Sequence, residues 1–394
     1  MSAALSAAPR AASNRLAAFY FFYYATVGAF IPYWGPYLEA RGFSALQIGA
    51  AFALMGVSRS IMPVAWGVWA DRSGQRMRLI RLSTVVSLLL FLAIPLVGNF
   101  AAVAALMLAY SVFWHALLPQ FEVVSLNHVA ASGADYSRIR MWGSVGFVFA
   151  VLSLGPLLDR WGMLPLPLLV GLVWLGMVGT AWWVDEPPAP PRAREARGAL
   201  WVILRRPEVI ALLLVCFASQ LSFATYYNFF TLFLERHGYS RGFAGLLWAL
   251  AVLAEIALFW WMRPLIRRFG VRNLMLWAIG GTAARWAVTA LAVDQLWLLI
   301  LAQLSHALTF GAYHAVSVHY VQRMFPGQMH GRGQAIYSAL SYGAGGSIGS
   351  LMGGWLWDGV SPQSTFLVAA LMADRKSTRL NSSHPSRTRM PSSA

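Results

Sequence analysis

Long apolar runs recur along the whole chain, at about 16–38, 45–70, 77–97, 100–129, 138–159, 163–184, 208–234, 242–264, 271–293, 295–322 and 331–357, and a twelfth begins near Ser361. Short clusters of arginine, glycine, proline and acidic residues separate them. About 20 apolar residues in a helix, rising about 1.5 Å each, cross a hydrocarbon core of about 30 Å. Strands of a membrane barrel would alternate apolar and polar positions over about 10 residues, and these runs are too long and too uniform for that. A helix also satisfies every backbone polar group within its own segment, as the bilayer interior demands. The pattern predicts an all-α membrane protein of twelve transmembrane helices, the last of them cut short.

Composition agrees. Of 394 residues, 58% are hydrophobic and 11% charged, against about a quarter charged in soluble domains. That balance excludes a soluble enzyme, a secreted disulfide scaffold and a disordered chain. A lone cysteine, Cys216, excludes an intrachain disulfide and a cysteine-built metal site, and a lone lysine, Lys376, leaves no lysine for a phosphate-binding loop. No cofactor and no metal are expected. The run Gly345-Gly-Ser347-Ile-Gly349 matches a hydrolase pattern, but it falls inside an apolar run where small residues serve helix packing, so no enzyme is expected.

The net charge of +16 changes meaning once it is sorted by loop. With the N-terminus taken as cytoplasmic, nineteen arginines fall on inside loops and only Arg41, Arg160, Arg236 and Arg241 on outside ones. Basic loops stay on the cytoplasmic side. A multi-pass protein of a bacterial inner membrane, with both termini cytoplasmic, accounts for the excess without a nucleic-acid partner. The expected partners are the lipid bilayer, a small-molecule substrate and protons, and the expected state is a monomer.

A polar segment with Pro187, Pro188, Pro190 and Pro191 divides the runs six and six. The expected organisation is a six-helix bundle over 1–184, a cytoplasmic linker over 185–207 and a second bundle over 208–373. Residues 374–394 turn abruptly Ser/Arg-rich, carry five basic groups and one acid, and resemble translated adapter sequence; they are expected to be a non-native tail. An internal repeat supports the division. At an offset of 196, Tyr37-Leu-Glu-Ala-Arg41-Gly42-Phe-Ser44 aligns with Phe233-Leu-Glu-Arg-His-Gly238-Tyr-Ser240, and Gly49, Gly74 and Arg76 meet Gly245, Gly270 and Arg272. A parallel repeat of six helices is the pattern of a carrier with a site at the midplane between two bundles.

After the second run the chain reads Gly67-Val-Trp-Ala-Asp71-Arg72-Ser-Gly74-Gln-Arg76. This resembles the G-x-x-x-D-R-x-G-x-R loop of the major facilitator superfamily. The resemblance implies a conformational latch rather than a substrate contact. Gly67 would permit close helix approach, Asp71 would face a helix N-terminus, and Arg72 and Arg76 would tie neighbouring helix ends. A tight basic turn explains the arginines without the rest. Asp135-Tyr-Ser-Arg138-Ile-Arg140-Met-Trp-Gly143-Ser-Val-Gly146 and Leu304-Ser-His306-Ala-Leu-Thr309-Phe-Gly311-Ala-Tyr-His314 are similar to the phenylpropionate-permease and nucleoside-symporter branch, related to lactose permease. The similarity covers roughly 15–370.

Ionisable groups inside a bilayer are costly and mark function by default. Here they are Arg59, His115, Glu122, Glu255, Arg285, His306 and His314, with Arg140 at a helix mouth. The interval between Glu122 and Arg140 equals that of the substrate-binding carboxylate and arginine of lactose permease, which implies a pair in the central cavity; a structural ion pair is the alternative. By the repeat, Arg59 and Glu255 hold corresponding positions and would face each other, as a coupling pair or as interhelical salt bridges. Arg285 and His306 match lactose-permease residues, whereas Thr309 and Gln303 stand where that permease has its proton-carrying glutamate and its lysine. Coupling would therefore use Glu122, Glu255 or a histidine. His306, Phe310 and His314 share one helix face. Aromatic residues make up 14% of the chain, and an aromatic cavity with central arginines suits a small aromatic carboxylate. The expected function is secondary transport of such a solute, for instance 3-phenylpropionate, by alternating access with proton symport. A nucleoside or sugar proton symporter is the alternative; a membrane-embedded enzyme or sensor is less favoured.

Overall fold

The computed structural model describes residues 2–186 and 199–382. The greater part of the expected linker and the end of the expected tail, 383–394, lie outside the described residues. Among the described residues the secondary structure is helical, without strands. The helices are α1 (Ser2–Ala40), α2 (Ala45–Ser73), α3 (Arg76–Ala93), α4 (Phe100–Ser132), α5 (Tyr136–Trp161), α6 (Leu166–Trp183), α7 (Ala199–Leu204), α8 (Pro207–Arg236), α9 (Arg241–Leu291), α10 (Leu296–Leu304), α11 (Tyr313–Met324), α12 (His330–Ser338), α13 (Gly346–Gly359) and α14 (Pro362–Ser382).

Nine helical stretches among the described residues are long and apolar enough to cross a bilayer. One of them is two rods. α9 has 51 residues, about 77 Å at the helical rise and far beyond a core of about 30 Å, and it turns at Gly270, where φ is 75°. Only glycine takes that backbone conformation without strain. α10 and α11 form one continuous rod through a π-helical segment, Ala307–Ala312. α12 and α13 do the same through a second, Ala339–Gly345. The apolar part of α14 is short, Pro362–Ala373, as its sequence implies.

Burial sorts the helices. In α1 and α8, 67% of the apolar window is buried, against 28–44% in the other spans, so these two run through the centre and the rest carry a lipid-facing side. Exposed Leu168, Leu172, Trp260 and Trp261 lie on that outer surface. In the first half α1 packs on α5 and α6, and α3 on α4 and α6; in the second, α8 packs on α13 and α14. The seam between the halves is α2 against α13, α5 against α9 and α1 against α8. It is close because glycines line it. A Cβ on Gly155 would lie 2.6 Å from the Arg241 carbonyl oxygen, and one on Gly35 would lie 2.5 Å from that of Asn228. Backbone meets backbone here, as small residues allow.

The Gly345–Gly349 run is part of this packing. A Cβ on Gly345 would meet the Phe217 carbonyl oxygen at 2.5 Å, and the Ser347 hydroxyl donates to the Ala53 carbonyl at 2.9 Å.

Candidate functional site

In the first half, Arg140 leaves the first turns of α5 and its guanidinium lies over the ring of Tyr24, 4.1 Å from its centroid, with Tyr20 at 5.4 Å. One guanidinium nitrogen also donates to the Tyr24 hydroxyl. Cation–π contact holds the charge while the donors not spent on Tyr24 stay available. Glu122 on α4 is half-buried, and its charge acts on Arg140. Among the described residues no ion pair joins them within 4 Å, so the salt bridge expected from their interval is not made in this conformation. His115, two turns earlier on the same face of α4, bonds the Ser58 hydroxyl through Nδ1 at 2.9 Å and not Glu122. Tyr23 stacks on Trp114, their centroids 4.9 Å apart, and walls the same region.

In the second half a buried polar chain runs between helices. Arg285, 2% exposed, reaches His306 Nδ1 at 2.7 Å and the Gln303 carbonyl oxygen Oε1 at 2.9 Å, with Thr309 at 3.5 Å. Its guanidinium also lies 4.4 Å from the Tyr226 ring centre and 4.7 Å from that of Trp286. On the far side of the imidazole, Nε2 stands 3.5 Å from a Glu255 carboxylate oxygen. A guanidinium has donors only, so Nδ1 must be the acceptor and the ring proton belongs on Nε2, pointing at Glu255. The order Arg285–His306–Glu255 is therefore a directed path in which the imidazole separates two opposite charges. Tyr226 closes the network by donating to Gln303 Oε1 at 3.1 Å.

The shared face of His306, Phe310 and His314 is realised as a ring stack, with interplanar angles of 11° and 9°. The stack leads to the seam. His314 Nδ1 shares a hydrogen bond with the Tyr342 hydroxyl at 3.0 Å, and the Tyr342 ring lies under the Arg59 guanidinium at 4.5 Å. Arg59 thus sits on an aromatic face from the other half. It does not pair with Glu255, contrary to the expectation from the repeat; Glu255 faces His306 instead. Arg59, Arg140 and Glu255 all act electrostatically on His314, and Arg59, Arg140 and Glu122 all act on Tyr23. Seven charged or ionisable side chains from both halves therefore occupy one locus: Arg59, Glu122, Arg140, Glu255, Arg285, His306 and His314. All seven stand out in the sequence, whereas their aromatic seats, Tyr24 and Tyr342, do not. In a chain so rich in aromatics, two tyrosines carry no signal of their own. Among the described residues no group of three or more His, Cys, Asp or Glu is placed to hold a metal ion.

The Gly67–Arg76 loop lies apart from this locus, at the opposite ends of α2 and α3. Arg76 pairs with Asp71 and donates to Gln120 Oε1 at 2.7 Å, tying the loop to α4. Asp71 does not face a helix N-terminus. That place is taken by Glu186, which accepts from the backbone of Arg76 at 2.6 Å and Met77 at 3.2 Å. Arg72 makes no hydrogen bond or ion pair among the described residues. Gly74 has φ 67° and caps α2, which explains a glycine there. Gly67 needs another reason than crowding: a Cβ would meet Gln120 at an ordinary 3.5 Å.

Comparison with known proteins accords with this architecture. The model of the MFS_1 like family matches residues 13–368. A protein of Escherichia coli (strain K12) described as "Probable 3-phenylpropionic acid transporter" is 26% identical over 364 residues, covering 91% of this chain and 94% of its own. A maltose permease of Geobacillus stearothermophilus is 28% identical over 344 residues, 86% of either chain. A crystal structure of a variant of the nucleoside transporter NupG superposes with a TM-score of 0.83 at 16% identity, over 94% of this chain and 98% of that one. The chain belongs to the MFS_1 like family and is a membrane transporter of the major facilitator type.

Proposed function

We propose that this transporter moves a small aromatic carboxylate of the 3-phenylpropionate class, in symport with protons, by alternating access between bundles formed by 1–184 and 208–373. One observation carries the reading. Two guanidinium groups, Arg59 and Arg140, each rest on a tyrosine face, and neither has a carboxylate partner within 4 Å among the described residues. A planar carboxylate pairs with such a group through two parallel hydrogen bonds, and the ring pairs Tyr23–Trp114 in one half and Tyr227–Phe310 in the other offer aromatic faces for an attached phenyl ring. The E. coli relative's description supports the same solute class.

Coupling uses the carboxylates. Glu122 acts on Arg140 without being bound to it, so a substrate carboxylate on Arg140 competes for the same positive charge and favours a proton on Glu122. Glu255 does the equivalent work through His306 in the other half. The protein works as a monomer in a bacterial inner membrane, with both termini cytoplasmic. The rival reading is a nucleoside or sugar symporter, which the maltose permease and the NupG structure support.

Purified full-length protein in proteoliposomes with an inward proton gradient tests this. Labelled 3-phenylpropionate is expected to accumulate only with the gradient, and Glu122→Gln is expected to abolish accumulation. Accumulation of uridine or maltose with no 3-phenylpropionate uptake overturns the aromatic-carboxylate assignment. Unchanged accumulation in Glu122→Gln removes that residue from coupling.

A further inference from the structure

The hydrogen bonds that join the two halves are concentrated on one face, that of loops 41–44 and 237–240, and at mid-depth. Two of these contacts have the same construction. α2 begins after Ser44, whose hydroxyl accepts from Gln47, the third helical N–H, at 3.3 Å. Its first two N–H groups, Ala45 and Leu46, donate to the two oxygens of Asp358, at 3.2 and 2.7 Å. α9 begins after Ser240, whose hydroxyl accepts from Phe243, again the third N–H, at 3.1 Å. Its first two N–H groups, Arg241 and Gly242, donate to the two oxygens of Asp159, both at 2.8 Å.

A helix start leaves four N–H groups without partners, and the residue before the helix can satisfy only one or two. In both helices that residue takes the third, and a carboxylate from the opposite half takes the first and second. Asp358 ends α13 and serves α2 of the first half; Asp159 ends α5 and serves α9 of the second. The helix starts stand 196 residues apart and the carboxylates 199, so the two contacts are repeat-related. The ion pair Arg236–Glu39, at 2.9 Å, bridges the halves between them.

We propose that Asp159 and Asp358 are a matched pair of positioning residues, an outer latch that holds this face shut and must open, both sides together, for the carrier to change its accessible side. The chemistry suits a reversible lock. Each carboxylate sits at the positive end of a helix, where a negative charge is favoured. Both aspartates are exposed, so water can receive the carboxylate and the N–H groups when the contact breaks. Neither contact leaves an orphaned buried charge in the open state. Because one carboxylate is donated in each direction, opening one side unloads the other. The face is the outer one if the arginine bias sets the orientation, and the latch then stabilises the inward-open state.

The test is the spacing of spin labels across this face in the full-length protein. Trp161→Cys and Leu291→Cys, both on exposed sites, carry the labels; native Cys216 is wholly buried. Asp159→Ala with Asp358→Ala is expected to move the label pair from short to long distances. The closed-to-open ratio should fall about tenfold, the effect of losing two helix-end charge contacts of ordinary strength. Either Asp→Glu variant should restore most of the short-distance population. An unchanged distribution in the double variant overturns the latch and leaves the aspartates as fold-stabilising caps. If the double variant does not fold, Asp159→Asn and Asp358→Asn are measured singly. Each must shift the distribution in the same direction, and opposite or absent shifts overturn the proposal. The measurement uses no substrate, so its failure is distinct from a failure of the solute assignment.

Discussion

At the scale of single residues, the buried charges were the legible part of the site. An ionisable group inside an apolar run is costly enough to stand out by position alone, as Arg285, Glu255, His306 and Glu122 do, whereas Arg140, at a helix mouth, is marked by its interval from Glu122. Their partners were not legible, because a hydrogen-bond partner is chosen by the packing of helices distant in sequence. Arg285 spends its donors on His306 and Gln303, and Arg140 rests on Tyr24 from α1. The Arg140 seat predicts that Arg140→Lys is not conservative. An ammonium keeps the charge but offers neither a planar face to the tyrosine ring nor two parallel donors to a carboxylate. Michaelis constants for 3-phenylpropionate in proteoliposomes should rise at least about tenfold, the value of one charge-assisted hydrogen bond, with protein level unchanged. Equal constants in the variant and the parent would show that Arg140 does not touch the solute.

At the scale of elements, the hydrophobic pattern placed nearly every helix and the turn at Gly270, yet gave no sign of the two π-helical segments. A π segment keeps the same apolar composition as an α-helix and differs only in how its backbone bonds are paired. Its consequence is local and functional. His306, Phe310 and His314, before, within and just beyond Ala307–Ala312, keep their rings nearly parallel. The segment also brings Gly311 against Glu255, since a Cβ there would lie 2.9 Å from the Glu255 Cγ. Gly311→Val should therefore push the Glu255 carboxylate away from His306 without breaking the bundle. Gradient-driven uptake is expected to fall several-fold while counterflow exchange without a gradient persists. A parallel loss of both, or of neither, would separate Glu255 from coupling. The Gly67–Arg76 loop makes the complementary point. Its glycine and its acid were legible as a motif, but the cap on α3 is Glu186, more than a hundred residues away, which no local pattern could reveal.

At the scale of the whole molecule, the repeat and the arginine bias together constrain more than either does alone. The repeat makes the two halves alike, so one set of contacts on a face implies a matching set, and the paired carboxylates at α2 and α9 are its physical form. The arginine bias read from the sequence bears on which face that is. Basic loops are costly to translocate, so we infer that the face carrying Asp159 and Asp358 is the outer one. Labelling tests this directly, because the native thiol of Cys216 is wholly buried and contributes little background. Asp294→Cys lies in the exposed loop between α9 and α10 on the latch face, and Ser137→Cys in the exposed first turn of α5 on the opposite one. In intact cells a membrane-impermeant maleimide should label the first and spare the second, and in inverted membrane vesicles the order should reverse. Labelling of Ser137→Cys alone in intact cells would turn the molecule over. The shut face would then be cytoplasmic, and the conformation described here would be open to the outside.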